Sequence, residues 1–192
     1  MTKTTKGMMA LLSGMALAIG VGGTAVAVDQ TASSVESVYA AEARTAGLSD
    51  RQADQLQDRV DARLAKLKVP ARQVSYNEIR TEDGSASITL SSPGVKASTS
   101  CSYEYLCLWS GSSYTGEKLS FSACKLRNLG DYGFSDKLTS YKNNQTSGTR
   151  AKFYNWKTGG GWDYKFDSRA PHVEANLSDT SWNNMIDGVQ VC

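Results

Sequence analysis

Residues 128–141 read NLGDYGFSDKLTSY, and residues 176–189, 48 positions later, read NLSDTSWNNMIDGV. Asn, Leu and Asp recur in register at the first, second and fourth places. A small residue follows (Gly133, Ser181), then an aromatic (Phe134, Trp182), a polar pair and an aliphatic (Leu138, Ile186). Upstream of each copy lies a weaker echo at an offset of 45. LCLWSGSSYTGEKLSF (106–121) aligns with AKFYNWKTGGGWDYKF (151–166), with Gly116 over Gly161 and Phe121 over Phe166. Two copies of one unit of roughly 45 residues therefore fill 101–192, and a repeat of this kind fixes the architecture before any single element does. Short runs rich in aromatic and branched residues, separated by Gly, Ser and Asn clusters, make those units β. They are 105–109, 118–122, 152–155, 163–167 and 188–192. Two units of about four strands each predict an all-β sandwich of two Greek keys.

The rest of the chain divides by composition. Residues 1–27 carry Lys3 and Lys6, an apolar run over 8–26 and a closing Ala25-Val26-Ala27. This is the pattern of a secretory signal peptide; Gly14, Gly20, Gly22 and Gly23 argue against a retained membrane anchor. Cleavage there would bring the formal charge from +2 to zero by removing two lysines. Residues 28–100 form a leader without cysteine or tryptophan. Ser49-Asp50-Arg51-Gln52 fits a capping box, and Leu56, Val60, Leu64 and Leu67 follow at helical spacing with Pro70 as a stop. Asp83-Gly84 between alternating apolar runs predicts a hairpin. One helix and one hairpin give little core for an independent domain. The leader is thus either a spacer or a pro-region that packs on the C-terminal domain and is later removed. Residues 91–100 are a linker in both cases.

The four cysteines, Cys101, Cys107, Cys124 and Cys192, all lie beyond that linker, an even number that implies two disulfides with three possible connectivities. Cys101 with Cys107 would bracket the first strand, and Cys124 with Cys192 would tie the chain end to its middle. A metal–thiolate site does not fit, because there is no C-x2-C and His172 is the one histidine. Ten Lys/Arg against nine Asp/Glu are scattered over 101–192, so no basic face for nucleic acid is present. Catalytic motifs are absent as well, and the chain reads as a non-enzyme. Asp163, Asp167 and Glu174 could pair for glycoside hydrolysis, but isolated acids on strands are usually solvated. Trp156 and Trp162, flanking Gly159–Gly161, read as core aromatics, with an exposed platform as the alternative.

Trp109-x4-Tyr114-x-Gly116 resembles the aromatic-x4-aromatic-x-Gly signature of βγ-crystallin Greek keys. The second copy keeps Tyr154 and Gly161 but has Gly159 at the second aromatic place. CSYEYLCLWSGSSYTG, with its C-x5-C, aromatic, Ser-Gly and later Gly, is similar to the opening of the small secreted metalloproteinase inhibitors of actinomycetes, the family of the Streptomyces metalloproteinase inhibitor. The resemblance implies an extracellular monomer that blocks a thermolysin-like zinc protease with an exposed, preorganised loop. In that family a second short cystine loop braces the reactive bond. Cys124 and Cys192 are too far apart in sequence to make one, so no reactive-site residue is carried over. The alternative function is calcium binding. In βγ-crystallins the paired loops supply oxygen ligands, which suit a hard cation. Matching places here are Ser135, Asp136, Thr139 and Ser140 in the first loop, and Asn183, Asn184 and Asp187 in the second. The same residues could instead hydrogen-bond the turns. No cofactor is required on either reading, and calcium is the candidate ion.

Overall fold

The computed structural model describes residues 30–95 and 98–192, with backbone alone for 30–37. The signal-peptide reading of 1–27 lies outside the described residues. The chain runs α1 (Gln30–Thr45), α2 (Asp50–Leu64), β1 (Ala71–Ser75), β2 (Glu78–Thr81) and β3 (Ala86–Thr89). It continues with β4 (Tyr105–Gly111), β5 (Thr115–Phe121), β6 (Leu126–Asn128), β7 (Ser140–Asn144), β8 (Arg150–Trp156), β9 (Trp162–Arg169), β10 (His172–Glu174) and β11 (Gly188–Gln190). A seven-stranded sheet has the order β1-β2-β3-β5-β4-β7-β10, and a four-stranded sheet has the order β6-β11-β8-β9.

Each Greek key lends its third strand to the other sheet. β4, β5 and β7 of the first key pair with β10 of the second, and β11, β8 and β9 of the second pair with β6 of the first. The βγ-crystallin-like sandwich is therefore two interlocked units. Leu106, Leu108, Leu119 and Phe121 from the first key and Phe153, Ile186, Val189 and Val191 from the second share one buried cluster. Phe121 and Phe166, aligned by the repeat, do not end alike: Phe121 is fully buried, whereas Phe166 is partly buried and stacks on Phe153 at 4.4 Å. The disulfides are Cys101–Cys107 and Cys124–Cys192.

The leader carries more structure than one helix and one hairpin. Gly47, at φ +95, ends α1, and the Leu48 N–H reaches back to the Ala43 carbonyl. The Ser49–Gln52 capping box then opens α2. Helix α2 stops at Leu64, six residues before Pro70, which instead precedes β1. Asp83-Gly84 does turn a hairpin, between β2 and β3, and a second turn at Tyr76-Asn77 separates β1 from β2.

β3 pairs antiparallel with β5, Ala86 opposite Phe121 and Ile88 opposite Leu119, so the first sheet crosses the linker without a break. The hydrophobic core crosses it too, taking in Leu56, Val60, Ile79 and Ile88. Three charged side chains, largely withdrawn from solvent, straddle the junction. Arg63 of α2 donates to Glu117 of β5 at 2.8 Å, with the side chains 16 % and 12 % exposed. Arg127 of β6 is 5 % exposed and finds only neutral partners, the Tyr132 hydroxyl at 3.0 Å and the Ser85 hydroxyl of the leader at 2.7 Å. A buried charge is tolerated only while its partners stay in place. Residues 98–100 form a strap over β5, β4 and β7: their carbonyls accept from Trp109 Nε1, Lys142 Nζ and Lys118 Nζ.

Candidate functional site

The two repeated loops meet across a pseudo-twofold axis. Asp136 N–H donates to the Ile186 carbonyl at 3.2 Å, and Asn184 N–H donates to the Leu138 carbonyl at 3.1 Å. Leu129 N–H to Asp187 O and Leu177 N–H to Thr139 O repeat the exchange, each at 2.7 Å. Each of these pairs is related to its counterpart by the offset of 48 read from the sequence. Thr139 N–H to Trp109 O and Asp187 N–H to Tyr154 O, at 3.0 and 2.9 Å, then bind each loop to the first strand of its own key. Asn128 and Asn176, which open the two copies, accept from Gly130 N–H and Ser178 N–H, both at 2.9 Å.

This centre gathers most of the candidate calcium ligands into two sets. In one, Thr139 Oγ1 donates to the Asn184 amide oxygen at 3.2 Å and the Ser110 carbonyl at 3.3 Å. In the other, Asp187 accepts from Trp156 N–H at 3.1 Å, and Asp136 lies within its electrostatic reach. Asp136 is exposed, but partial desolvation, and after it the charge of Asp187, holds its carboxyl above the usual carboxylate range. The Asn183 amide oxygen is buried without a hydrogen-bond partner. Ser140 serves the fold, accepting from Tyr114 N–H and donating to the Gly111 carbonyl. Ser135 is half-buried in the loop itself. Among the described residues no three His, Cys, Asp or Glu side chains converge. The sites, if they bind, would rest on two carboxylates plus amide, hydroxyl and carbonyl oxygens.

The aromatic corner of the first key is as the signature implies, Trp109 and Tyr114 meeting edge to face at 5.3 Å. In the second key the corner moves outward along the hairpin. Gly159, Gly160 and Gly161 all turn at positive φ, and Trp156 with Trp162 takes over the edge-to-face contact at 4.9 Å. Trp156 is 53 % exposed, so the reading of it as core is corrected: it lies three residues past buried Phe153 and faces outward by strand alternation. The β8–β9 register shift, which leaves Lys165 of β9 without a partner, brings Trp162 and Tyr164 opposite Trp156 and Tyr154 on that surface. Trp162 is half-buried because it lies over Gly188 of β11. The candidate acids do not form a pair. Asp163 is bound by Lys165 at 2.9 Å, Asp167 by Arg150, and Glu174 accepts from Asn176 N–H. These cations hold both aspartates below the usual carboxylate range.

A further feature was not legible as a site. The Cys101–Cys107 bridge closes a loop whose outermost large side chain, Tyr103, is 63 % exposed. Tyr105 N–H donates to Ser102 O at 3.2 Å across a tight turn, with Glu104 at φ +69. Glu104 N–H is held by Asn144 O, and the Asn144 amide in turn donates to Cys101 O, both at 2.9 Å. The one sequence signal was a tyrosine midway through C-x5-C.

The interlocked keys define a βγ-crystallin-like domain. The model of peptidase inhibitor family I36 matches residues 95–166, from the end of the leader into β9. The segment CSYEYLCLWSGSSYTG, which carries the resemblance, lies within the matched residues. Among solved structures, a chain from work on the evolution of the eye-lens βγ-crystallin domain fold is 11 % identical, with a TM-score of 0.38. It covers 50 % of this chain and 91 % of its own length. A βγ-crystallin domain from Flavobacterium johnsoniae is 16 % identical, with a TM-score of 0.32, covering 44 % and 90 % respectively. No curated protein matches.

Proposed function

We propose that this protein is an extracellular inhibitor of zinc metalloproteases that acts by occupying the cleft without catalysing any reaction. The observation that carries the reading is the match of 95–166 to a peptidase inhibitor family. The zinc class follows from the resemblance of the opening motif to metalloproteinase inhibitors. The build of the domain suits the task. Two disulfides, interlocked keys and a strap over the outer face give a surface that loses little entropy on binding. The test is residual activity of a thermolysin-like zinc endopeptidase and of an unrelated serine endopeptidase after incubation with the purified, disulfide-intact chain. Inhibition confined to the zinc enzyme supports the assignment; inhibition of the serine enzyme alone overturns the target class.

One observation favours calcium as an added ligand. Asp136 and Asp187 carry like charges, and the charge of Asp187 helps to raise the Asp136 carboxyl; a divalent cation bound by both would relieve that repulsion. On this reading calcium stiffens the pseudo-twofold centre and is not needed for the fold.

A further inference from the structure

We infer that the cystine loop 101–107 is the element that enters the protease cleft, with Tyr103 as its anchor. This rests on the inhibitor reading and names the contact that the reading leaves open. An anchor must be large, exposed and already fixed, since interface energy concentrates in a few aromatic or Arg side chains that fill a pocket. Among the described residues the exposed large apolar side chains are Val38, Tyr103, Leu126, Trp156, Tyr164 and Val173. Val38 stands on helix α1, and Leu126, Trp156, Tyr164 and Val173 stand on strands, flush with a sheet. Tyr103 alone among them sits on a loop, and that loop is closed by a disulfide between residues six apart and pinned by three hydrogen bonds.

The same geometry accounts for resistance to cleavage. A protease aligns its substrate as an extended strand. The Ser102–Tyr105 hydrogen bond and the positive φ of Glu104 hold residues 102–105 in a turn. A turn of this kind can fill the cleft through Tyr103 while its peptide bonds stay out of line for attack. Asn144, on β7, ties the loop to the sheet, so the turn cannot be drawn open without disturbing the β4–β7 pairing.

The test measures inhibition constants of the full disulfide-intact chain against a thermolysin-like zinc endopeptidase, for wild type, Tyr103→Ala, Tyr103→Phe and Trp156→Ala. Tyr103→Ala should bind about 30-fold or more weakly, with an unchanged melting temperature. Tyr103→Phe should stay near wild type, because the phenol makes only a long contact to the Thr146 hydroxyl at 3.3 Å; Trp156→Ala should also stay near wild type. The double variant Cys101→Ser, Cys107→Ser should become a substrate, cut within 102–105. Undiminished inhibition by Tyr103→Ala, or loss confined to Trp156→Ala, would overturn the loop assignment while leaving the inhibitor reading standing. Failure of the wild type to inhibit would overturn both.

Discussion

Asp136 and Asn184 occupy equivalent places 48 residues apart, share a left-handed backbone at φ +55 and +51, and each donate an N–H to the opposite loop. Neither is glycine, yet both hold a conformation that Asn and Asp tolerate better than other residues. The second member of each repeated polar pair, Asp136 and Asn184, is thus first a requirement of the backbone at the pseudo-twofold centre. Any ligand chemistry is added to that structural role.

The Asp136 carboxylate should make stability depend on pH. Its folded pKa is raised, so ionisation is disfavoured in the folded state. The penalty applies above that folded pKa and disappears as the pH falls through it. Asp136→Asn should therefore be more stable than wild type at neutral pH without calcium, and the difference should vanish on acidification. Melting temperatures with calcium and with chelator complete the test: calcium should raise the wild-type value and raise that of Asp136→Asn less. An unchanged wild-type value at millimolar calcium excludes the calcium reading.

Removal of residues 30–95 should destabilise the β-domain. β5 would lose its partner β3, Glu117 would lose Arg63, and Arg127 would lose the Ser85 hydroxyl. Denaturant unfolding of 98–192 should show a lower midpoint and a smaller slope than the longer chain. An unchanged midpoint would fit a detachable pro-region instead.

Arg63→Ala should cost about 3 kcal/mol, because it leaves the Glu117 carboxylate buried without its cation. Arg63→Met combined with Glu117→Leu should cost clearly less than either single change. Urea unfolding of Arg63→Met, Glu117→Leu and the double variant measures the difference, and simple additivity would show that the pair is not coupled.

Gly116→Ala should destabilise by about 1–3 kcal/mol. Gly116 stands at φ +76, and a Cβ there would fall on the Ser110 hydroxyl that accepts from Glu117 N–H. Gly188→Ala meets a different obstacle, the Trp162 ring at 2.6 Å, and should expose that tryptophan. Its fluorescence should shift to the red.

The repeat made the fold legible because it reports pairings that are long-range in the structure yet fixed in sequence offset. Asn128 and Asn176, Leu138 and Ile186, and Gly116 and Gly161 all fall where the offsets of 48 and 45 place them. β6 and β10 were not legible, since three residues are too few to show a period, and their exchange between sheets is a tertiary fact. The docking of the leader was hidden for a similar reason. Arg63 and Arg127 look like surface arginines until Glu117 and Ser85 are brought to them from 54 and 42 residues away. The outward face of Trp156 follows from alternation along β8 with Ala151 and Phe153, whereas the unpaired Lys165 of β9 that brings Trp162 and Tyr164 to the same surface leaves no mark in composition.

The measurement closest to the central claim is a titration of a thermolysin-like zinc endopeptidase with the disulfide-intact chain, followed by mass analysis of the chain after hours at equivalence. Activity falling linearly to zero near one chain per enzyme, with the chain recovered uncut, is the predicted result. Undiminished enzyme activity at micromolar chain, or inhibition that fades as the chain is cleaved, would contradict it.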